Sequence, residues 1–95
     1  MLTAFILLNC DVGTESTILN ELTNISGVSE AVGLIGVYDI VAKVTVESRE
    51  DIAKTVRKIR AIANVRSSLT MIVSEKEGVS EKEHSVKQIE ETVAQ

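Results

Sequence analysis

A short internal repeat constrains the fold of this chain more than any other feature. Ile25-Ser26-Gly27-Val28 and Ile62-Ala63-Asn64-Val65 each join the end of an amphipathic stretch to an apolar run. Each also follows an apolar run of strand length and a segment whose apolar residues have helical spacing. Gly27 and Asn64 suit the left-handed backbone that ends many helices. The chain is therefore predicted to contain two strand-helix-strand units.

Four apolar runs have the length of β-strands. The first, Ala4 to Leu8, is apolar without alternation, which indicates a strand that is buried on both faces. The others extend from Val28 to Ile35, from Asp39 or Ile40 to Val46, and from Val65 to Val73. Two strand-helix-strand units in series predict an α+β fold with the ferredoxin-like βαββαβ topology. Both helices would then cover one face of a four-stranded antiparallel sheet.

The two helical segments carry start and stop signals. Thr14 is the expected N-cap of the first helix, and Gly27 its C-terminal stop. Ser48, with Asp51 three residues later, resembles a capping box at the start of the second helix. Apolar residues at helical spacing predict the buried face of the first helix, Ile18, Leu19, Leu22 and Ile25, and that of the second, Ile52, Val56, Ile59 and Ala63.

The predicted sheet is apolar on the face away from the helices as well. Phe5 and Leu7 alternate with Ala4, Ile6 and Leu8 on the first strand. A single chain would expose this face as a large apolar patch, and 95 residues bury only a marginal core. We therefore expect a sheet-to-sheet dimer. The alternative is that the C-terminal segment folds back over the open face.

The composition changes near residue 75. We divide the chain into a domain of residues 1–75 and a charged tail of residues 76–95. Ser80 and Glu83 are spaced to cap a helix in the tail, with Val86, Ile89 and Val93 on one face. The alternative is a solvated, charged tail.

Gly36-Val37-Tyr38-Asp39 lies between the second and third apolar runs, at the tip of a central hairpin. Gly36 allows the close approach of a backbone or a ligand. Tyr38 offers a flat face and a hydroxyl group. The Asp39 carboxylate suits an ammonium group, and backbone N–H groups of the turn suit a carboxylate. The alternative is a plain turn in which Asp39 bonds its own backbone.

Hydroxyl groups on the fourth strand form a second candidate cluster. The cluster is Ser67-Ser68 with Thr70. Ser68 and Thr70 are two residues apart and share one face of the strand, with Arg66 at the same parity. Hydroxyl groups among apolar residues suit a small zwitterion. Cross-strand hydrogen bonds, or the β-propensity of Thr, explain them equally well.

The chain offers little for catalysis. Its single histidine, His84, lies in the charged tail, and its single cysteine, Cys10, is better explained as a small buried residue. No metal-ligand series or phosphate loop occurs, so we expect no metal, no cofactor and no enzymatic activity. The net charge of −4 argues against a nucleic-acid partner. The N-terminal apolar run is too short for a membrane span, so we expect a cytoplasmic protein.

Taken in order, these motifs resemble the C-terminal regulatory domain of the Lrp/AsnC family, also called the RAM domain. The resemblance covers roughly residues 2–75. It implies the same fold, a dimer through the sheets and often a ring of dimers, with amino-acid-like effectors bound between dimers. The segments that carry it are Ala4-Phe5-Ile6, Ile25-Ser26-Gly27-Val28, Gly36-Val37-Tyr38-Asp39, and Ser68-x-Thr70 after Val65.

The resemblance also implies an effector site at the hairpin. Asp39 would bind the ammonium group of the effector, and the turn backbone its carboxylate. Val37 and Leu34 would form an apolar wall. The full set of expected ligand-binding residues is Leu34, Gly36, Val37, Tyr38, Asp39, Ser68 and Thr70.

Full-length regulators of this family begin with a helix-turn-helix domain, whereas this sequence starts at the first strand of the regulatory domain. We therefore expect a non-enzymatic effector-binding and oligomerisation module without its own DNA-binding domain. Its partners would be itself and full-length Lrp/AsnC regulators. The alternatives are a purely structural oligomerisation module that binds no effector, a dimeric ferredoxin-like enzyme, or an ACT domain, which shares the topology.

Overall fold

The chain folds into one antiparallel sheet with two helices in a computed structural model that describes residues 1–75 and 86–94. The strand order in the sheet is β2-β3-β1-β4-β5. The first four strands and both helices confirm the predicted ferredoxin-like βαββαβ arrangement. The elements are β1 (Leu2–Cys10), α1 (Glu15–Leu22), β2 (Val28–Gly33), β3 (Ile40–Val46), α2 (Arg49–Arg60), β4 (Val65–Glu75) and β5 (Val86–Ala94).

The central strand β1 pairs with β3 on one side and with β4 on the other. Ala4, Ile6 and Leu8 are fully buried on the side that the helices cover. Phe5 and Leu7 alternate with them and are half-buried on the other side. The apolar residues of β1 therefore alternate between the sheet face that the helices cover and the face that they leave open.

The ends of the helices follow local chemistry. The Ser48 hydroxyl accepts a hydrogen bond from the Asp51 N–H at 3.2 Å and caps α2 as predicted. Thr14 precedes α1 as predicted, but its hydroxyl donates to the Asp11 carbonyl at 2.6 Å and does not cap the helix. Asn64 has φ of 77°, the left-handed conformation that the sequence predicted.

The predicted buried stripe of α2 is partly wrong. Ile52 and Ile59 are buried, and Val56 is half-buried. Ala63 is exposed, because α2 ends at Arg60 and Ala63 lies beyond its last turn. Thr55 is buried instead, and its hydroxyl donates to the Asp51 carbonyl at 2.8 Å, which satisfies the polar group.

β2 is shorter than predicted. Its pairing with β3 ends at Gly33 opposite Ile40, and residues 34–39 form the connecting loop. The Leu34 N–H donates to the Asp39 carbonyl at 2.7 Å and closes this loop. Because the chain turns away after that bond, Leu34 and Ile35 leave the strand and are exposed.

A fifth strand replaces part of the helix considered for the tail. Val86–Ala94 pairs antiparallel with β4, from Ser68 opposite Ala94 to Glu75 opposite Val86. Pairing with the open edge of β4 satisfies backbone groups along the strand, whereas an isolated helix of this length is marginal in water. The Ser80 and Glu83 cap lies outside the described residues. Within residues 1–75 and 86–94, no helix is long and apolar enough to cross a membrane.

Candidate functional site

Three hydrogen bonds fix Asp39 at the end of the sheet. Its N–H donates to the Leu8 carbonyl at 2.9 Å, and its carbonyl accepts from Leu34. Its carboxylate Oδ2 accepts from the Cys10 N–H at 2.9 Å. Asp39 therefore bonds the backbone of β1, which differs from a plain turn in which the carboxylate bonds its own segment. This arrangement holds the 34–39 loop against the end of β1.

The Asp39 carboxylate faces a cleft of about 570 Å³ between the end of β1, the 34–39 loop and the start of β4. We call it the Asp39 cleft. Six described residues line it: Asn9, Cys10, Val37, Asp39, Arg66 and Ser67. The cleft thus contains one carboxylate and one guanidinium group, together with amide and hydroxyl groups.

Unlike Asp39, the Arg66 and Asn9 side chains of the cleft are only loosely engaged with neighbouring groups. Arg66 Nε lies 3.7 Å from Asp11 Oδ1, and the Arg66 side chain is 70% exposed. An exposed ion pair of this kind contributes little, so Arg66 can turn towards a ligand at small cost. The Asn9 amide donates to Ser67 Oγ at 3.4 Å, which is long for a hydrogen bond.

Cys10 is unsuited to nucleophilic chemistry at neutral pH. Burial has the largest effect and raises the pKa of its thiol. A hydrogen bond with Thr14 lowers the pKa by less, and the Asp39 and Glu15 carboxylates raise it by smaller amounts. The thiolate is the reactive form, so a raised pKa leaves the group inert near pH 7. Cys10 is a buried part of the core, which agrees with its interpretation as a small buried residue.

The structure brings part of the predicted hairpin site together. Val37 and Asp39 both line the Asp39 cleft, and the Val37 side chain is 84% exposed. Leu34, Gly36 and Tyr38 belong to the same loop but do not line it. Gly36 has φ of +148°, and no atom lies within 4 Å of the position that a Cβ would occupy.

The hydroxyl groups of β4 divide between the two faces of the sheet. Ser68 and Thr70 are buried on the side of the helices, away from the Asp39 cleft. Arg66 and Ser67, which precede Ser68 at the start of β4, line the cleft instead. Sequence reasoning missed Asn9, and it grouped Ser67 and Arg66 with the β4 cluster without assigning them to the hairpin site. The strand alternation that groups Ser68 with Thr70 was the available signal that Ser67 faces the other way.

The face of the sheet away from the helices is apolar at its centre. Leu7 lies opposite Val41 on one side and opposite Leu69 on the other. No helix of the described residues covers this surface, which we call the open face. Its apolar residues are Phe5, Leu7, Val32, Val41, Leu69 and Met71. Lys43, opposite Phe5, and Glu30 lie towards the edge of the same face.

Comparisons with known proteins place the chain in one family. The model of the Lrp/AsnC ligand binding domain matches residues 3–82. Homocitrate synthase from Saccharolobus islandicus is 35% identical over 74 residues, which make up 77% of this chain but only 16% of that enzyme. The chain therefore spans a small part of the curated relatives that it matches.

Solved structures share both the fold and some of the sequence. A hypothetical protein from Pyrococcus horikoshii has a TM-score of 0.75 and 31% identity, over 81% of this chain and 94% of that one. AsnC from E. coli has a TM-score of 0.72 and 25% identity, over 83% of this chain and 54% of that one. With a family match across most of its length and the same fold in these neighbours, the chain belongs to the Lrp/AsnC ligand binding domain family and forms a module of the regulatory-domain type.

Proposed function

We propose that this domain is a non-enzymatic sensor that binds an amino acid or a similar small zwitterion in the Asp39 cleft. The observation that carries the proposal is the presence of the Asp39 carboxylate and the Arg66 guanidinium in one cleft. These groups are complementary to the ammonium and the carboxylate of an amino acid. The family's description as a ligand binding domain supports the same function.

The hydrogen bonds of Asp39 leave it able to bind a cation. An ionised carboxylate has about four acceptor positions, and the Cys10 N–H uses one of them. The same bond holds the carboxylate in place before a ligand arrives. A preorganised group loses less conformational entropy on binding, so this rigidity favours affinity.

A second copy of the chain would complete the site. Ile35 and Val37 are exposed apolar residues of the loop beside the Asp39 cleft, and the open face is apolar as well. Packing of another copy against such surfaces removes them from water and narrows the cleft. We infer that sheet-to-sheet dimers form through the open face, and that contacts between dimers close the site.

The signal would pass to a larger protein of the same family or to an enzyme. E. coli AsnC contains a structurally similar domain in about half of its length. Homocitrate synthase contains a similar segment in 16% of its length. The partner that we favour is a full-length Lrp/AsnC regulator in a mixed assembly. The surface through which this domain would pair with its own copy could also pair with a like domain of the regulator, so no second contact surface is needed.

A thermal-shift screen of the assembled protein against the twenty amino acids tests the ligand. A ligand at ten times its Kd stabilises the folded state by about 1.4 kcal/mol. For a domain of this size that corresponds to a rise in Tm of roughly 6–11 °C. Unchanged melting with all twenty amino acids would remove the amino-acid proposal.

Asp39→Asn separates ligand binding from folding. Asparagine retains a side-chain oxygen that can accept from the Cys10 N–H but lacks the charge that binds an ammonium group. We expect affinity for the responding amino acid to fall about tenfold or more. Glu21→Gln, the same change at an exposed position of α1, should leave the affinity unchanged. Equal affinities in the two variants would favour the purely structural alternative, in which Asp39 only anchors the loop.

Leu7→Lys tests the dimer. The substitution places a charge at the centre of the open face, between Val41 and Leu69. Light scattering should then give the 10.3 kDa mass of one chain instead of a multiple of it. Thr17→Lys on the exposed side of α1 is the matched control and should keep the wild-type mass. A monomeric wild-type protein would contradict the inferred assembly.

A further inference from the structure

A second cleft, of about 400 Å³, lies between the end of α2 and the start of β4, on the side of the sheet that the helices cover. We call it the α2–β4 cleft. Arginine and serine dominate its polar walls: Arg57, Arg60, Arg66, Ser67 and Ser68. It shares Arg66 and Ser67 with the Asp39 cleft, whereas Arg57 and Ser68 line the α2–β4 cleft without lining the other.

Ser68 provides an independent indication of a ligand. It is 2% exposed, and among the described residues its Oγ has no hydrogen-bond partner. A buried hydroxyl group without a partner is unfavourable, and native proteins rarely retain one without a reason. Ser68 lines the α2–β4 cleft, but its Oγ has less than 1 Å² of accessible surface. Rotation of the Ser68 side chain about χ1 towards the cleft would let a bound ligand supply the missing partner.

The charges around the cleft select an anion. α2 ends beside it, and the C-terminus of a helix carries a partial negative charge of about half a unit. The carbonyls of Arg57, Lys58 and Ile59 in its last turn already accept hydrogen bonds from the N–H groups of Ala61 and Ile62. Arg57 and Arg66 are both positively charged, and none of the described lining residues is acidic, although Asp11 outside the cleft lies 3.7 Å from Arg66 Nε and offsets part of its charge. The arginines therefore outweigh the helix terminus.

We propose that the α2–β4 cleft binds a small oxyanion, a carboxylate or a phosphate, through the Ser68 hydroxyl and the guanidinium groups of Arg57 and Arg66. A guanidinium group can donate two parallel hydrogen bonds to such an anion, and the hydroxyl can donate one more. Ala61 and Val65 line the same cleft and suit the carbon skeleton of an organic acid.

An NMR titration of the ¹⁵N-labelled chain tests this site. Inorganic phosphate and succinate are added in separate experiments, with sodium chloride keeping the ionic strength constant. Saturable shifts centred on Arg57, Ser67 and Ser68 are expected with the anion that fits, and the two arms distinguish phosphate from carboxylate. Shifts that grow linearly without saturation in both experiments would overturn the proposal.

Two variants and a control make the test specific. Arg57→Gln should weaken binding about tenfold, whereas Lys54→Gln, which removes the same charge from α2 outside the cleft, should change it less than about twofold. Ser68→Ala should weaken binding several-fold without lowering the Tm of the unliganded protein, because the hydroxyl has no partner to lose. Equal effects of Arg57→Gln and Lys54→Gln, or unchanged binding in Ser68→Ala, would overturn the site.

Discussion

Gly27 joins three elements, and its replacement by alanine should destabilise the fold strongly. The residue has φ of +100°, and its carbonyl accepts a hydrogen bond from the Thr45 N–H of β3 at 2.9 Å. A Cβ at this position would lie 2.8 Å from Thr55 Oγ1 on α2 and 3.1 Å from Val46 Cγ1. Gly27 therefore does more than end the first helical segment, since its missing side chain lets α2 approach the sheet.

The expected loss in the free energy of unfolding combines two unfavourable effects of the Gly27→Ala substitution and one favourable effect. The left-handed backbone costs an L-residue about 1–2 kcal/mol. Overpacking against Thr55 and Val46 adds about 1–3 kcal/mol, because both are held within packed elements. The reduced entropy of the unfolded chain returns about 0.4–1 kcal/mol. We expect Gly27→Ala to lower the free energy of unfolding by about 2–4 kcal/mol.

Gly13→Ala is a matched control for the backbone effect alone. Gly13 has φ of +85°, and among the described residues, its chain neighbours aside, no atom lies within 4 Å of the position that its Cβ would take. It should cost about 1 kcal/mol. Urea unfolding at one protein concentration, followed by circular dichroism, gives both values. If Gly27→Ala costs no more than Gly13→Ala, the steric argument is wrong. Adding Thr55→Ala to Gly27→Ala should recover part of the loss.

Three further predictions concern the cap, the core and the buried thiol. Ser48→Ala should lower the free energy of unfolding, measured by urea unfolding, by about 1 kcal/mol. Ser16→Ala at an exposed position of α1 should have little effect, and equal losses in the two variants would contradict the role of Ser48 as the cap of α2. Ile59→Ala should cost about 2–5 kcal/mol in the same assay because Ile59 is fully buried, and Lys58→Ala beside it should cost less than about 0.5. Burial raises the pKa of Cys10 above its ordinary value of 9.0, so the folded state favours the neutral thiol. The resulting contribution to the free energy of unfolding is complete below pH 9.0 and is lost as the pH rises through the pKa of the folded state. Unfolding free energies measured up to pH 10.5 should therefore fall more steeply in the wild-type protein than in Cys10→Ala, and identical profiles would refute the assignment.

Local patterns predicted most elements of the fold. The repeat that places Gly27 and Asn64 between a helix and a strand is confirmed by positive φ angles at both residues. Ser48 caps α2 because the signal for an N-cap lies within four residues of sequence. Errors occurred where a neighbouring element decides the outcome. Ala63 lies past the end of α2, and β5 pairs with an edge of β4 that the local pattern of the tail does not specify.

The candidate site was harder to predict, because its residues come from different strands. The Cys10 N–H reaches Asp39 across 29 residues of sequence, and Asn9 reaches Ser67 across 58. Strand register determines these pairings, and a shift of one residue exchanges the two faces. Alternation along β4 likewise points the side chains of Ser67 and Ser68 to opposite faces of the sheet.

By itself, the sequence determined the topology and the apolar character of both sheet faces, because both follow from spacing along the chain. It also identified Asp39 as an unusual polar residue between apolar strands. That Asp39 shares a cleft with Arg66 emerged from the folded chain, as did the burial of Ser68, without a hydrogen-bond partner among the described residues, in a cleft that Arg57 also lines. The physical reason is that these groups approach one another through strand pairing and helix packing, which bring together residues that are distant in sequence.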